Sequence, residues 1–254
     1  MGIKFFISDL HFGAGGKGEK SAESVFENFC NALPSDGELC ILGDFFDYWI
    51  EYSSVVPAEF TNIYSILLDA RKRGVKINFV RGNHDFFKGN FLKTLGIEVF
   101  DRHFSFKQNK KKVFCTHGDD IKSGILRFLL SSALRNTFFQ FLYKLLPPFF
   151  AIRFMKMMSE LSRKKNVGNV NTPSRKEKYR RAAFRFIDKK HSSVLVAGHS
   201  HICDLAESGK KIYANCGIWS ERQTYVEINE KNVFLKEFCG GDLRKDVILE
   251  EKEI

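Results

Sequence analysis

Residues 77–85 read Ile-Asn-Phe-Val-Arg-Gly-Asn-His-Asp, a short apolar run that ends in a polar turn. The run is too short for an ordinary helix and is bounded by a turn, so it predicts a buried strand followed by a loop. Five other stretches of the chain repeat this pattern: Ile3–Ser8, Leu39–Gly43, Lys112–Gly118, Ser193–Gly198 and Ile212–Gly217.

Amphipathic stretches lie between several of these strands. Their apolar residues recur at helical spacing, and the alternation of strands with helices predicts a layered α/β domain that spans residues 1–254. Residues 224–228 and 233–238 predict a closing hairpin. The three helical faces are Ala22, Val25, Phe26, Phe29, Cys30 and Leu33; Phe60, Ile63, Tyr64, Leu67 and Leu68; and Tyr179, Ala182, Ala183, Phe186 and Ile187.

The composition of the 254 residues is that of a globular protein. Hydrophobic residues make up 44% of the chain, which is enough for a core and excludes a disordered or low-complexity protein. The six cysteines form no C-x-x-C pair, which favours a reducing compartment. The apolar run at the N-terminus is too short for a signal peptide, so we expect a cytoplasmic protein.

The positive charge is concentrated in one part of the chain. Residues 121–190 carry 17 Lys and Arg against 3 Asp and Glu, whereas the remainder carries 23 against 27. Residues 122–172, which we call the insertion, interrupt the α/β alternation and are also rich in Leu and Phe. Pro147-Pro148 breaks the apolar pattern, so the insertion is not a membrane span. It is either a helical hairpin packed on its own domain or an amphipathic lid that binds acyl chains or lipid.

Five of the seven histidines lie at the polar ends of predicted strands, beside Gly, Asp or Asn. Loops after such strands converge on one rim of an α/β fold, so these side chains are expected to meet. Imidazole, carboxylate and carboxamide groups together suit Mn, Fe or Zn, and the number of candidate ligands fits two ions better than one. The candidates are Asp9, His11, Asp44, Asn83, His117, His199 and His201.

These motifs resemble the signature of the calcineurin-like metallophosphoesterases: D-x-H, G-D-x-x-D, G-N-H-D, H and G-H-x-H, in this order from Asp9 to His201. The resemblance implies a four-layer α/β/β/α sandwich and a metal-bound hydroxide that attacks phosphorus. It also implies two metal sites that share Asp44. One site would use Asp9, His11, Asp44 and His201, and the other Asp44, Asn83, His117 and His199.

Two residues beside the ligands are candidate catalytic groups. His84 follows Asn83 directly, and it is placed to donate a proton to the leaving oxygen or to hydrogen-bond the phosphoryl group. Asp85 either orients the imidazole of His84 or caps the turn.

Within this family the chain is similar to the UDP-2,3-diacylglucosamine diphosphatases of lipid A biosynthesis. The similarity lies in residues 43–52, in residues 213–219 and in the helical insertion. It implies a nucleotide-linked glycolipid substrate, two Mn ions, and release of UMP and 2,3-diacylglucosamine 1-phosphate. The best-studied members of that group carry Arg where this chain has His84.

The basic, apolar insertion supports a lipid substrate on physical grounds, because burying ten methylenes at about 0.8 kcal/mol each outweighs several exposed salt bridges. We therefore expect peripheral contact with the cytoplasmic face of a membrane, although a merely solvated basic face is equally consistent with the sequence. The oligomeric state stays open. Candidate substrate contacts are Arg81, Phe138, Phe141, Leu142, Arg163, Lys164 and Lys165.

Two other functions fit the same residues. A phosphodiesterase that acts on nucleic acid or on another nucleotide or lipid phosphoester would use the basic segment to hold phosphates. Nucleic acid is disfavoured because its grooves rarely require so many Leu and Phe side chains. A non-catalytic metal-binding scaffold is the second alternative, and loss of ligands would mark it, but every ligand of the signature is present.

Overall fold

Two β-sheets form the centre of the structure, a computed structural model that describes residues 2–15, 19–122, 131–165 and 172–254. The strands are β1 Lys4–Ile7, β2 Glu38–Leu42, β3 Lys76–Val80, β4 Glu98–Phe100, β5 His103–Gln108, β6 Lys111–Thr116, β7 Val194–Ala197, β8 Cys203–Ser208, β9 Lys211–Cys216, β10 Thr224–Ile228, β11 Asn232–Glu237 and β12 Val247–Glu253. The helices are α1 Glu19–Ala32, α2 Thr61–Lys72, α3 Phe91–Thr94, α4 Thr137–Tyr143, α5 Pro148–Lys165 and α6 Pro173–Lys189. Residues 131–134 are also helical, and Ala58–Phe60 and Leu243–Lys245 are short 3₁₀ turns.

The first sheet has the strand order β12-β11-β10-β1-β2-β3-β4, and the second has the order β5-β6-β7-β9-β8. Strands β1 to β4 are parallel to one another, and so are β6, β7 and β9. The remaining pairs are antiparallel. The parallel strands carry the sequence motifs at their carboxyl ends.

Apolar residues on both faces of the central strands produce a layered core. In β1, Phe6 packs between the two sheets, whereas Phe5 and Ile7 pack on the outer face with α1 and α2. In β6, Val113 packs between the sheets and Phe114 packs against α6. Such strands are buried on both sides and are therefore nearly continuous apolar runs. The result is the expected four-layer α/β/β/α sandwich.

The six predicted strands are confirmed as β1, β2, β3, β6, β7 and β9, and the three predicted helical faces as α1, α2 and α6. The predicted hairpin is confirmed as β10 and β11. It does not close the sheet, because β12 pairs with β11 beyond it and forms the edge.

The insertion lies between β6 and β7 and contributes α4 and α5. One side of α5 packs onto the first sheet's outer core through Ala151 and Met155. Among the described residues, no helix has both the length and the apolar character needed to cross a membrane. Residues 123–130 and 166–171 of the insertion lie outside the described residues, and so do the side chains of residues 162–165. The substrate contacts expected of Arg163, Lys164 and Lys165 concern this part of the chain and stay predictions.

Candidate metal centre

The loops after β1, β2, β3, β6 and β7 bring acidic and imidazole side chains to one rim of the sandwich. Ligand atoms within 4.8 Å of one another form three overlapping groups among the described residues. The first is Asp9, His11 and His201; the second is His11, Asp44 and His84; and the third is Asp44, His117 and His199.

The distances between these atoms are those expected of ligands that share an ion. Nε2 of His201 lies 3.3 Å from Oδ1 of Asp9, and Nε2 of His117 lies 3.3 Å from Oδ2 of Asp44. Nε2 of His117 is also 3.1 Å from Oδ1 of Asn83. Ligands about 2.0–2.1 Å from a tetrahedral ion are separated from one another by about 3.3 Å. All seven candidate ligands therefore lie at this rim, in two neighbouring sets that meet at Asp44.

Buried polar atoms without a hydrogen-bond partner show that the site fits cations. Within the described residues, Oδ1 of Asp9 and Nε2 of His11 are buried and have no such partner. Leaving buried groups of this kind unpaired is costly and rare in native proteins. A divalent cation accepts electron pairs from both atom types, so it would satisfy groups that the protein leaves unpaired.

The backbone at the ligands is strained. Five ligand residues adopt a left-handed conformation that residues other than glycine rarely enter, at a cost of roughly 1–3 kcal/mol each. Only three other described non-glycine residues have a positive φ. Strain concentrated at one rim indicates that these loops are held for a function rather than for stability. The five residues are Asp9 (φ 57°), His11 (φ 53°), Asp44 (φ 49°), His199 (φ 63°) and His201 (φ 60°).

Two glycines allow the loops after β2 and β3 to touch. A Cβ on Gly43 would lie 2.6 Å from Cα of Gly82, and Gly43 also has a φ of 80°. A Cβ on Gly82 would lie 2.1 Å from Oδ1 of Asp44. These contacts explain why each motif has glycine immediately before its polar residues.

Asp85 holds the same two loops together. Its carboxylate accepts hydrogen bonds from the backbone nitrogens of Gly82 at 2.5 Å and Phe45 at 2.8 Å. It also accepts longer ones from Asp44 at 3.3 Å and Phe46 at 3.4 Å. These contacts correspond to the turn-capping role considered for Asp85 and not to contact with the imidazole of His84.

His84 lies beside the ligands with one ring nitrogen anchored. Its Nδ1 is 2.9 Å from the backbone oxygen of Asp47 and 3.0 Å from Oγ of Ser159 in α5. A carbonyl oxygen only accepts hydrogen bonds, so this contact requires a hydrogen on Nδ1. Nε2 then faces the metal centre, 4.0 Å from Oδ2 of Asp44.

Electrostatics within the cluster sets the protonation of its imidazoles. Burial lowers the pKa of His117, but the neighbouring Asp44 carboxylate outweighs it and raises that pKa to about 10. Burial, together with the nearby His117, lowers the pKa of His199 to about 4. Burial opposes ionisation of Asp44, yet the adjacent His117 holds its pKa well below the usual range. Without a metal, His117 therefore holds a proton that a bound cation would have to displace.

The candidate substrate contacts that the structure describes lie in the loop after β3 and on α4. The guanidinium of Arg81 pairs with Asp101 and donates to the backbone oxygen of Gly89 at 3.4 Å, so it braces the loop after β3. A substrate contact by Arg81 stays a prediction. Phe138, Phe141 and Leu142 lie on α4, and each is exposed.

Several residues that support the site were not identified from the sequence. Oδ1 of Asp47 lies 3.5 Å from Nδ1 of His11, and the spacing of the G-D-x-x-D motif could have indicated it. Nδ2 of Asn215 donates to the backbone oxygen of Gly198, next to His199, at 2.8 Å. Arg135 and Ser159 also approach the site, but neither belongs to a recognisable motif.

Comparison with known proteins agrees with this geometry. A family model described as calcineurin-like phosphoesterase matches residues 5–203, a range that contains all seven candidate ligands. The class that the fold and the site define is that of the metal-dependent phosphoesterases. The chain belongs to the calcineurin-like phosphoesterase family, as the sequence motifs predicted.

Curated relatives match most of the chain at low identity. A protein named UDP-2,3-diacylglucosamine hydrolase from Porphyromonas gingivalis is 26% identical over 242 residues, covering 87% of this chain and 92% of its own. A protein of the same name from Pectobacterium carotovorum is 27% identical over 254 residues, covering 92% and 98%. A crystal structure of a Vps29 single mutant from Entamoeba histolytica covers 99% of both chains at 13% identity, with a TM-score of 0.50. This last similarity concerns the fold alone.

Proposed function

We propose that this protein hydrolyses the diphosphate of UDP-2,3-diacylglucosamine to UMP and 2,3-diacylglucosamine 1-phosphate. The observation that carries the proposal is the contact of a phosphoesterase metal centre with an unusually apolar insertion. The names of the curated relatives support the same substrate. A small polar phosphoester would require no such surface.

The apolar surface of the insertion is large. Of the seventeen large apolar side chains that are exposed in the described residues, thirteen lie between residues 134 and 161. On α4, Phe138 is 63% exposed, Phe141 59% and Leu142 43%. Exposed apolar patches of this size mark interaction sites. Acyl chains would cover it favourably, at about 0.8 kcal/mol per buried methylene.

Helix α5 has two apolar surfaces, a buried face and a neighbouring exposed stripe. The inner face carries Ala151 and Met155, which are buried, and an outer stripe at helical spacing is exposed to solvent. A helix that only packed on its own domain would need one apolar face. The second supports contact with lipid, and we propose that the protein binds peripherally to the cytoplasmic face of a membrane. The outer stripe consists of Phe150, Phe154, Met157, Met158 and Leu161.

The residues of the rim would hold two divalent ions, Mn most suitably and Fe or Zn by the same ligand chemistry. Asp9, His11, Asp44 and His201 would bind one, and Asp44, Asn83, His117 and His199 the other. Such ions supply an acidified water as nucleophile and positive charge beside the phosphoryl oxygens.

The chain's own groups supply the rest of the chemistry. Asp44 accepts a hydrogen bond from the backbone nitrogen of His84 through Oδ1 at 2.9 Å, which leaves Oδ2 facing the imidazoles of the centre. Since Nδ1 of His84 donates to the backbone oxygen of Asp47, Nε2 faces the site. In the imidazolium form, in which both ring nitrogens carry a hydrogen, Nε2 can protonate the leaving oxygen or donate a hydrogen bond to a phosphoryl oxygen.

The proposal is tested by analysing the products of purified protein with Mn and UDP-2,3-diacylglucosamine in detergent micelles by mass spectrometry. We expect UMP and the lipid phosphate, both lost with a chelator and in the Asn83→Ala variant. Cleavage of a generic phosphodiester with the lipid left intact would refute the proposed substrate but would still support the proposed metal centre. Metal binding without turnover of any phosphoester would instead support a non-catalytic scaffold. Steeply salt-dependent DNA binding would support a nuclease.

A further inference from the structure

Three polar side chains of the insertion are almost completely buried against the loop that carries Asn83 and His84. Arg135 is 8% exposed, and Gln140 and Ser159 are each 4% exposed. They come from an apolar segment, where a buried polar group is costly unless it is hydrogen-bonded. Each of the three is hydrogen-bonded, and each has at least one partner in residues 82–88.

Arg135 joins the loops that follow β3 and β6. Its guanidinium donates to the backbone oxygens of Gly82 at 3.0 Å and Asp101 at 2.5 Å. It also donates to the carboxylate of Asp119 at 3.1 Å, two residues after the ligand His117. One cation therefore binds the segment that supplies Asn83 and the segment that supplies His117.

Gln140 continues the same contact along the chain. Its Nε2 donates to the backbone oxygen of Phe86 at 3.3 Å, and its Oε1 accepts from the backbone nitrogen of Lys88 at 2.9 Å. Lys144 donates to the backbone oxygen of Lys88 at 3.1 Å. The segment after His84 thus forms hydrogen bonds to the insertion through backbone oxygens and through a backbone nitrogen.

Ser159 makes the contact closest to the chemistry. Its hydroxyl oxygen lies 3.0 Å from Nδ1 of His84, the nitrogen that also faces the backbone oxygen of Asp47. Ser159 is on the inner face of α5, at helical spacing from the buried Ala151 and Met155. The packing of α5 on the domain therefore fixes where this hydroxyl stands.

We propose that the insertion is a positioning element for the catalytic loop, in which Ser159 orients the imidazole of His84 and Arg135 holds the loop that carries it. This role is separate from acyl binding, and it rests on the proposed function only in requiring His84 to act on the phosphoryl group. Turnover of a substrate without acyl chains should therefore still depend on the insertion.

The test uses the Mn-loaded protein and bis(p-nitrophenyl) phosphate, which has no acyl chain. We expect Ser159→Ala to lower kcat roughly tenfold, because a misplaced His84 would bind the phosphoryl oxygen less well in the transition state, with KM within about twofold. Ser159→Thr keeps the hydroxyl and should retain most of kcat. Glu160→Ala, at the adjacent exposed position, is the matched control and should leave kcat unchanged.

A double-variant comparison distinguishes a role of Ser159 in orienting His84 from general damage to the structure. If Ser159 acts through His84, Ser159→Ala should have no further effect in a His84→Ala background. A loss of the same size in both backgrounds, or no loss in either, would overturn the proposal. Because the assay uses a synthetic diester, failure of the lipid substrate would leave this result unaffected.

Hydrogen exchange gives a readout that does not depend on activity. Arg135→Lys keeps the charge but cannot reach all of the partners of a guanidinium. We expect amide exchange in residues 82–88 to become faster in this variant, in metal-free and loaded protein alike, while residues 194–197 of β7 exchange as in the parent. Unchanged exchange in residues 82–88 would overturn the role of Arg135.

Discussion

Oδ2 of Asp85 lies 2.8 Å from the backbone nitrogen of Phe45, and this contact joins two loops that each carry candidate metal ligands. The same carboxylate accepts a hydrogen bond from Gly82 on its own loop. The loops that follow two neighbouring strands are thus held in register by Asp85.

Asp85→Ala should therefore destabilise the fold even without metal. Removing the carboxylate leaves several buried amides unpaired, at about 1–3 kcal/mol for an unsatisfied group, so we expect the free energy of unfolding to fall by roughly 3–5 kcal/mol. Urea unfolding of metal-free protein measures this. Asp69→Ala, at an exposed position whose side chain pairs with Lys72, should change it by less than about 0.5 kcal/mol. Equal effects of the two substitutions would contradict the role of Asp85 in joining the two loops.

The metal content of variants should distinguish the two proposed metal sites. Wild-type protein is expected to bind two divalent ions per chain, and Asn83→Ala to lose one of them, because Asn83 contacts only the His117 side. Asp44→Ala should weaken both, since Asp44 contributes to two ligand groups. Elemental analysis after dialysis measures the stoichiometry. His191→Asn, at an exposed histidine, serves as the control, and a loss of metal there would undermine the assignment.

Metal binding should release a proton at neutral pH. Asp44 raises the pKa of His117 to about 10, so His117 is protonated in the metal-free protein at pH 7 and must lose its proton to bind an ion. His199, with a pKa of about 4, contributes none. Apparent affinity should rise about tenfold per pH unit from this group between pH 7 and 9. Calorimetry in buffers of different ionisation enthalpy would show the released proton, and a buffer-independent heat would argue against it.

Trimming the apolar surface of α4 should affect only the lipid substrate. Replacing Phe138, Phe141 and Leu142 by Ala is expected to lower kcat/KM on UDP-2,3-diacylglucosamine at least roughly tenfold, through lost acyl burial, and to spare bis(p-nitrophenyl) phosphate. Val247 and Ile248 are exposed apolar residues on the edge strand β12, and their replacement by Ala is the matched control. Similar losses on both substrates would refute an acyl-binding role for α4.

The sequence was sufficient to predict the central strands because they are buried on both faces and form continuous apolar runs. The predicted ligands likewise follow those strands directly, so the topology alone brings them together. Strands β4, β5, β8 and β12 were not predicted. Each lies at a sheet edge, where partial exposure mixes polar and apolar residues and weakens the pattern.

The supporting contacts could not be predicted for a different reason. Ser159 reaches His84, and Arg135 reaches Gly82, only because the helices of the insertion fold back onto a distant loop. No local spacing encodes such a contact. The sequence left two roles open for Asp85, orienting the imidazole of His84 or capping the turn. Only the positions of the backbone amides around its carboxylate distinguish these roles.

The most direct test of the proposed reaction is hydrolysis of UDP-2,3-diacylglucosamine by the Mn-loaded protein in water labelled with oxygen-18, with both phosphate products analysed by mass spectrometry. We predict one labelled oxygen in UMP and none in 2,3-diacylglucosamine 1-phosphate, because the similarity to the UDP-2,3-diacylglucosamine diphosphatases implies attack at the uridine-side phosphorus. Label in the lipid phosphate would contradict that site of attack, and an intact substrate would contradict the proposed function itself.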